Sequence, residues 1–121
     1  SKKDLINSYK NTILYTDYFL SVLIKRLEEL DHETFMIYAS DHGESLGEHG
    51  LYLHGVPRKI APKEQIHIPW VMWFSDEYKK NNKLALLKED TEITHEFFPY
   101  TILKALKIES TLFNPNKSLI N

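Results

Sequence analysis

The residues of this chain that are able to do chemistry are concentrated in residues 40–55, which read SDHGESLGEHGLYLHG. All four glycines of the chain lie there, together with three of its six histidines. Asp41 and His42 offer a carboxylate oxygen and an imidazole nitrogen, a mixed pair that suits Zn²⁺ at about 2.0–2.2 Å. Gly43 lets the backbone turn after them, so that both side chains can reach one ion. The pattern therefore predicts a metal site with Asp41 and His42 as ligands. The alternative is a polar loop with an Asp–His hydrogen bond.

Further carboxylates and histidines follow in the same segment. A short helical turn would place Glu44 and Glu48 on one face, because they are spaced i, i+4. Glu44 is predicted either to orient a histidine ligand or to bind a second metal. Glu48 and His49 are predicted to face solvent. The residue pattern alone leaves His54 open between a surface position and a functional one.

The elements that must position this segment read as an α/β arrangement. Residues 35–39 (FMIYA) form an apolar run that predicts a buried strand, and ligands of such sheets lie beyond the carboxyl ends of strands. Residues 68–75 predict a second strand whose continuous hydrophobicity is typical of sheets covered by helices on both faces. Residues 4–30 predict an amphipathic helix, capped by Asp4 or Asn7. Its predicted packing stripe consists of Tyr9, Ile13, Leu20, Leu23, Leu27 and Leu30.

The remaining segments carry weaker signals. Residues 56–64 are basic and interrupted by prolines, which predicts an irregular loop. Its cations either attract anionic lipid headgroups or are simply solvated. A short helix is predicted around residues 84–87. A longer one is predicted from Thr94 to Lys107, with Pro99 in its first turns or marking a later start.

Composition excludes several classes of protein. The 121 residues suffice for one domain, and a hydrophobic fraction of 42% with 26% charged residues is ordinary for a globular chain. A net charge of −2 gives no basic face for nucleic acid. No apolar run approaches the ~18 residues of a membrane span. The absence of cysteine alone mildly favours a reducing compartment.

The string DHGESLGEHGLYLHG resembles the phosphoethanolamine transferases, a branch of the alkaline phosphatase and sulfatase superfamily that modifies lipid A and related surface molecules. The resemblance extends upstream through residues 9–21. Downstream it includes Leu53-His54-Gly55, Ala61-Pro62, Gln65 and Ile68-Pro69. It implies an α/β/α sandwich similar to alkaline phosphatase and sulfatases, with residues 1–121 as the C-terminal portion of one catalytic domain. The threonine nucleophile, a glutamate metal ligand, another site histidine and the membrane anchor would all lie upstream. The chain by itself is therefore expected to be inactive.

The resemblance also implies an activity. It predicts zinc-dependent transfer of phosphoethanolamine from phosphatidylethanolamine to lipid A or a related surface acceptor, through a phosphothreonine intermediate. Asp41 and His42 would hold the zinc. His54 would contact the transferred phosphoryl group, bind a second zinc or help to deliver a proton, and Glu44 would help to bind substrate. The implied location is the bacterial inner membrane, with the catalytic domain facing the periplasm. Two alternatives remain, which are a sulfatase- or phosphatase-type hydrolase and an inactive structural or interaction module.

Overall fold

The fold is described by a computed structural model of residues 1–86 and 92–121, which divides into the compact units Ser1–Asp76 and Glu77–Asn121. The first unit contains the helices α1 (Lys2–Glu28) and α2 (Lys63–Ile66) and the strands β1 (Phe35–Ala39), β2 (Ser45–Leu46), β3 (Tyr52–Leu53) and β4 (Trp70–Phe74). Helix α3 (Asp76–Asn82) begins at the boundary, and α4 (Phe97–Ala105) lies in the second unit. In the part of the chain that is described, no helix combines the length and apolarity that crossing a bilayer requires.

Helix α1 confirms the predicted amphipathic helix. Its N-terminal cap is Ser1, and not Asp4 or Asn7 as predicted. The Ser1 hydroxyl accepts a hydrogen bond from the backbone N–H of Asp4, and the Asp4 side chain completes a capping box. The half-buried positions recur at helical spacing and include Ile24 in place of the predicted Leu23. They are Ile6, Tyr9, Thr16, Leu20, Ile24 and Leu27. The predicted stripe residues Ile13 and Leu30 are about half exposed, at 53% and 50%.

A second apolar surface of α1 is largely exposed. We call it the exposed aromatic face, and it consists of Leu14, Tyr15, Tyr18, Phe19 and Val22. Tyr15 and Tyr18 are 68% and 65% exposed, which is unusual for large apolar side chains that recur on one side of a helix.

Strands β1 and β4 pair in antiparallel orientation from Phe35↔Phe74 to Ala39↔Trp70. Both predicted strands form, although the second begins at Trp70. The predicted burial is wrong for most of their residues, since only Met36 and Phe74 are buried and Val71 is exposed. Met36 and Phe74 are buried, and the Phe35 and Phe74 rings stack with their centroids 6.0 Å apart. The antiparallel order places the end of β1 beside the beginning of β4. The loop after β1 therefore lies next to α2, which precedes β4 in the chain.

A hairpin of β2 and β3 replaces the predicted helical turn over residues 44–48. The hairpin has two residue pairs, Ser45↔Leu53 and Leu46↔Tyr52. Gly47 has a φ of 111°, a left-handed value that ends β2 and is incompatible with a helix continuing to Glu48. Glu48 does not simply face solvent, because its Oε2 accepts a hydrogen bond from the backbone N–H of Leu46 at 2.6 Å.

The second unit is organised by α4. Pro99 is the third residue of this helix, which confirms its predicted place in the first turn. Thr101 is completely buried, and its hydroxyl accepts the backbone N–H of Leu119 at 3.1 Å. The helix predicted around residues 84–87 is wrong for the described residues 84–86, which follow the end of α3 at Asn82 and are not helical. Leu86 instead forms an isolated antiparallel bridge with Ile120. Leu87 lies outside the described residues.

The Glu48 contact predicts a pH dependence of stability. Hydrogen bonds from the backbone N–H groups of Glu48 and Leu46 lower the pKa of the Glu48 carboxyl in the folded state. Its stabilising contribution is therefore present above the unfolded-state pKa and is lost as pH falls through the folded-state pKa. We expect Glu48→Gln to lower the midpoint of thermal unfolding at about pH 7 and to leave it unchanged at about pH 3. A difference between the two proteins that is constant across this range would contradict the assignment.

Candidate metal centre

The loop that follows β1 is held against α2 by its backbone. The N–H of Gly43 donates to the carbonyl oxygen of Gln65 at 3.0 Å, and the Ser40 hydroxyl donates to the carbonyl of His42 at 2.7 Å. A Cβ atom at position 43 would clash with the backbone carbonyl of Glu64. Only glycine allows this close approach. The approach fixes the backbone positions of the neighbouring residues, His42 and Glu44.

Three side chains converge just beyond this contact. His42, Glu44 and His54 each offer a ligand atom, and these atoms all lie within 4.8 Å of one another. Nδ1 of His54 is 3.2 Å from Oε2 of Glu44. The imidazole rings of His42 and His54 have centroids 3.7 Å apart and are inclined by 31°. Leu53 has a φ of 65°, an unusual value for leucine, at the residue that directs the chain into His54.

Glu44 is the most enclosed member of this group. Its side chain is 22% exposed, against 49% for that of His54. Its Oε1 is buried and has no hydrogen-bond partner among the described residues. A buried carboxylate oxygen without a partner is costly, so this atom is available to an ion or a substrate group.

Asp41 lies beside the group and is not one of its three members. Its side chain is 87% exposed, and its Oδ2 is 3.5 Å from Nε2 of His42. Its Oδ1 accepts the backbone N–H of His42 at 3.0 Å. The Asp–His contact that the sequence leaves as an alternative is therefore present. The same contact keeps the Asp41 carboxylate close to Nε2 of His42, the ring nitrogen that would bind an ion shared by the two residues.

The donor set fits a zinc ion. Two imidazoles and a carboxylate make up one of the ligand sets of catalytic zinc, in which the fourth position is kept for water or substrate. The unpartnered Oε1 of Glu44 supplies a hard oxygen ligand at the same place. The exposure of His54, together with that of Asp41, leaves one side of the group open to solvent.

A cavity adjoins the group on the side of α1. Its volume is about 220 Å³, and Glu44 is part of its lining. Most of its wall is apolar, formed by Leu5 and Tyr9 of α1 and by Leu46 and Leu53 of the hairpin. The sequence pattern did not indicate that α1 takes part, because a helix stripe reads equally well as core packing.

The comparison with known proteins shows the family. Residues 1–108 match the family model described as Sulfatase. The chain belongs to the sulfatase family. This match confirms the predicted α/β class and the predicted likeness to sulfatases. The resemblance to phosphoethanolamine transferases is confirmed by the relatives and solved structures described next.

Two relatives carry closely related names. The chain is 41% identical over 123 residues to the phosphoethanolamine transferase EptA of Helicobacter pylori, and the match covers 99% of this chain and 23% of that protein. It is 39% identical over 97 residues to the Kdo(2)-lipid A phosphoethanolamine 7''-transferase of Escherichia coli, with coverage of 77% and 17%. The chain therefore spans less than a quarter of the length of these relatives.

Two solved structures agree with the sequence relatives. The integral membrane protein lipooligosaccharide phosphoethanolamine transferase A of Neisseria meningitidis matches with a TM-score of 0.90 and 36% identity, over 99% of this chain and 24% of that one. The C-terminal periplasmic domain of the phosphoethanolamine transferase EptC of Campylobacter jejuni matches with a TM-score of 0.83 and 41% identity, over 98% and 38%.

The close approach at Gly43 predicts a specific sensitivity. Gly43→Ala forces the loop away from the carbonyl of Glu64 and should lower the free energy of unfolding by about 1–3 kcal/mol, measured by urea denaturation. Gly50→Asn is the matched control in the same segment. Position 50 has open space around it, and its φ of 74° is one that asparagine tolerates. Equal effects of the two substitutions would mean that the contact with α2 does not constrain the loop.

Proposed function

We propose that this chain provides the zinc-binding loop of a phosphoethanolamine transferase that acts on lipid A or a related cell-surface acceptor. The observation that carries the proposal is the convergence of His42, Glu44 and His54 at the end of β1, in a chain of the sulfatase family. Every relative described above is named as a phosphoethanolamine transferase.

In this proposal Asp41 and His42 are zinc ligands. Support comes from the 3.5 Å separation of the Asp41 Oδ2 and His42 Nε2 atoms, since two atoms that each bind one tetrahedral zinc ion at about 2.0–2.2 Å lie a similar distance apart. When bound, zinc would activate the nucleophile and stabilise charge on the phosphoryl oxygens. The backbone contact of Gly43 with α2 holds this pair at the rim of the sheet.

We assign contact with the phosphoryl group to His54, and to Glu44 a supporting part in substrate binding, through the orientation of His54. Because Nδ1 of His54 pairs with the Glu44 carboxylate, Nε2 is the ring nitrogen that remains for a phosphoryl oxygen or for proton delivery. Glu44 also lines the apolar cavity, so one carboxylate connects the histidines with a recess able to take part of a substrate. The alternative role for His54 and Glu44 is to hold metal, either by completing the donor set around the zinc at His42 or by binding a second zinc ion.

The reaction that we propose has two steps. A threonine hydroxyl attacks the phosphorus of phosphatidylethanolamine, the bond to the diacylglycerol oxygen breaks, and a phosphoethanolamine–threonine diester forms while the hydroxyl proton passes to the departing diacylglycerol oxygen. An acceptor oxygen on lipid A or a related molecule then attacks the same phosphorus and releases the threonine. We assign the nucleophile to no threonine of this chain, and we expect the 121 residues alone to be inactive.

We place the protein at the inner membrane, with this segment in the periplasm. The names of the two structural neighbours support the proposal, one being an integral membrane protein and the other a periplasmic domain. The partner of this segment would be the remainder of a sulfatase catalytic domain. The exposed aromatic face of α1 would pack against that remainder, because the segment corresponds to only 38% of the Campylobacter jejuni domain.

A chimera tests the zinc site in a complete enzyme. The chain replaces the matching residues of the Helicobacter pylori relative, and zinc is measured by elemental analysis alongside transfer from a fluorescent phosphatidylethanolamine. We expect about one zinc or more per chain in the parent chimera, with one zinc and all transfer lost in His42→Ala. His49→Ala is the matched control, since His49 is an exposed histidine of the same loop outside the cluster. Full zinc retention in His42→Ala would remove His42 from the site.

The role of His54 is tested in the same chimera. His54→Ala should lower the transfer rate by about 10²–10⁴-fold, because it removes a group that contacts the reacting phosphoryl group or moves its proton. The zinc content separates the two roles left open for His54. Retention of all the zinc supports phosphoryl contact, whereas loss of part of it supports a second metal. Transfer within twofold of the parent would exclude both.

The identity of the product distinguishes transfer from hydrolysis. A transferase should form phosphoethanolamine-modified lipid A, detected by mass spectrometry, and should turn over only slowly without the acceptor. Release of free phosphoethanolamine at the same rate with and without lipid A would favour the hydrolase. Zinc binding of micromolar or weaker affinity, with no turnover in the chimera, would favour a structural module.

A further inference from the structure

Gln65 contacts both of the segments that carry the metal-site side chains. It lies in α2 and is only 4% exposed. Its side-chain Nε2 donates to the Ser45 hydroxyl at 2.9 Å, next to Glu44. Its Oε1 accepts the backbone N–H of Val56 at 3.3 Å, two residues after His54. Its backbone carbonyl accepts the N–H of Gly43, next to His42.

Besides Gln65, these two segments are joined by the short pairing of β2 with β3 and by the exposed contact of His54 Nδ1 with Glu44 Oε2. The chain between Glu44 and His54 includes Gly47 and Gly50, both with left-handed φ values. The hairpin across it has two residue pairs, whereas an isolated hairpin is at best marginally stable in water. The separation of His54 from Glu44 and His42 therefore depends on a support outside the hairpin.

We propose that Gln65 is a positioning residue that sets the separation of His54 from His42 and Glu44. A primary amide suits this role because it carries a donor and an acceptor on one rigid tip, and the two contacts require one of each. Ser45 is 1% exposed, so loss of the amide leaves its hydroxyl buried without this partner. The inference deepens the proposed site. Its consequence for zinc affinity rests on the role in which His54 and Glu44 hold metal, and its consequence for the contact between the imidazole rings does not.

The contacts of Gln65 are independent of any bound ion. They join backbone and buried side-chain groups, and none of them uses a ligand atom of the cluster. The arrangement of the two imidazole rings can therefore be measured without metal. With ring centroids 3.7 Å apart, the ring protons of His42 and His54 should give a nuclear Overhauser effect.

The test compares Gln65→Met with Thr101→Val in the 121-residue chain. Methionine matches the length of glutamine and makes neither hydrogen bond. Thr101→Val removes a fully buried hydroxyl and its bond from Leu119 in the second unit, so it controls for a general loss of stability. The dissociation constant for zinc is measured by competition with a chelator, and the contact between the imidazole rings is measured in the metal-free protein.

We expect Gln65→Met to weaken zinc binding by about 10–100-fold and to abolish the Overhauser effect between the rings. Thr101→Val should change the dissociation constant by less than twofold and keep the effect. Unchanged zinc affinity and an unchanged ring contact in Gln65→Met would overturn the proposal. If Gln65→Met does not fold, Ser45→Ala removes one of the two contacts and should weaken both readouts to a smaller extent. Unchanged readouts in a folded Ser45→Ala protein would then overturn it.

The two proposals fail in different ways. If the parent chain binds no zinc but loses the ring contact in Gln65→Met, the positioning role stands and the metal assignment is wrong. If the parent binds zinc and Gln65→Met binds it equally well with the ring contact intact, the positioning role is wrong and the metal assignment stands.

Discussion

The site depends on one close contact, the approach of the Gly43 backbone to the carbonyl groups of α2. The N–H of Gly43 donates to Gln65, and the absence of a Cβ atom leaves room for the carbonyl of Glu64. The contact is possible because β1 and β4 are antiparallel, which brings the end of β1 beside the segment that precedes β4. The pairing of β1 with β4 also fixes the position of His42, because His42 directly precedes Gly43 in the chain.

The second constraint is electrostatic. Glu44 has one carboxylate oxygen paired with His54 and the other buried without a partner among the described residues. Such a group stabilises positive charge beside it, which suits a metal ion. Because Glu44 also lines the cavity beside α1, its negative charge acts both on the two histidines and inside this cavity.

Part of this site could be predicted from the sequence. A strand followed by Asp-His-Gly indicates a metal site or a polar loop, because the chemistry of the residue types and the end of the strand are both local. The structure brings His42 together with Glu44 and His54, and its role as a ligand stays a prediction. The resemblance of the longer string added His54 and Glu44. The packing stripe of α1 was partly wrong, since Ile24 faces the interior in place of Leu23. One residue of shift is enough to rotate a helix by about 100°.

Other features could not be predicted, because they depend on contacts between distant parts of the chain. Glu48 was expected to face solvent on a helical turn, but the left-handed Gly47 makes a hairpin and brings the N–H of Leu46 to the carboxylate. The apolar residues near 84–87 suggested a helix. The structure instead begins α3 directly after β4, where Tyr78 is buried and donates its hydroxyl to the carbonyl of Ala105.

By itself, the sequence determined which residue types are present for metal and phosphoryl chemistry and that they follow a strand, because strand propensity and ligand chemistry depend on local sequence. Only the tertiary structure decided which of them meet. His54 lies ten residues from Glu44 in the chain, and its ring contacts that of His42 only because the hairpin folds back. Gln65 supports the site only because α2 lies against both segments, and its hydrogen bonds depend on positions in space that the order of residues does not record.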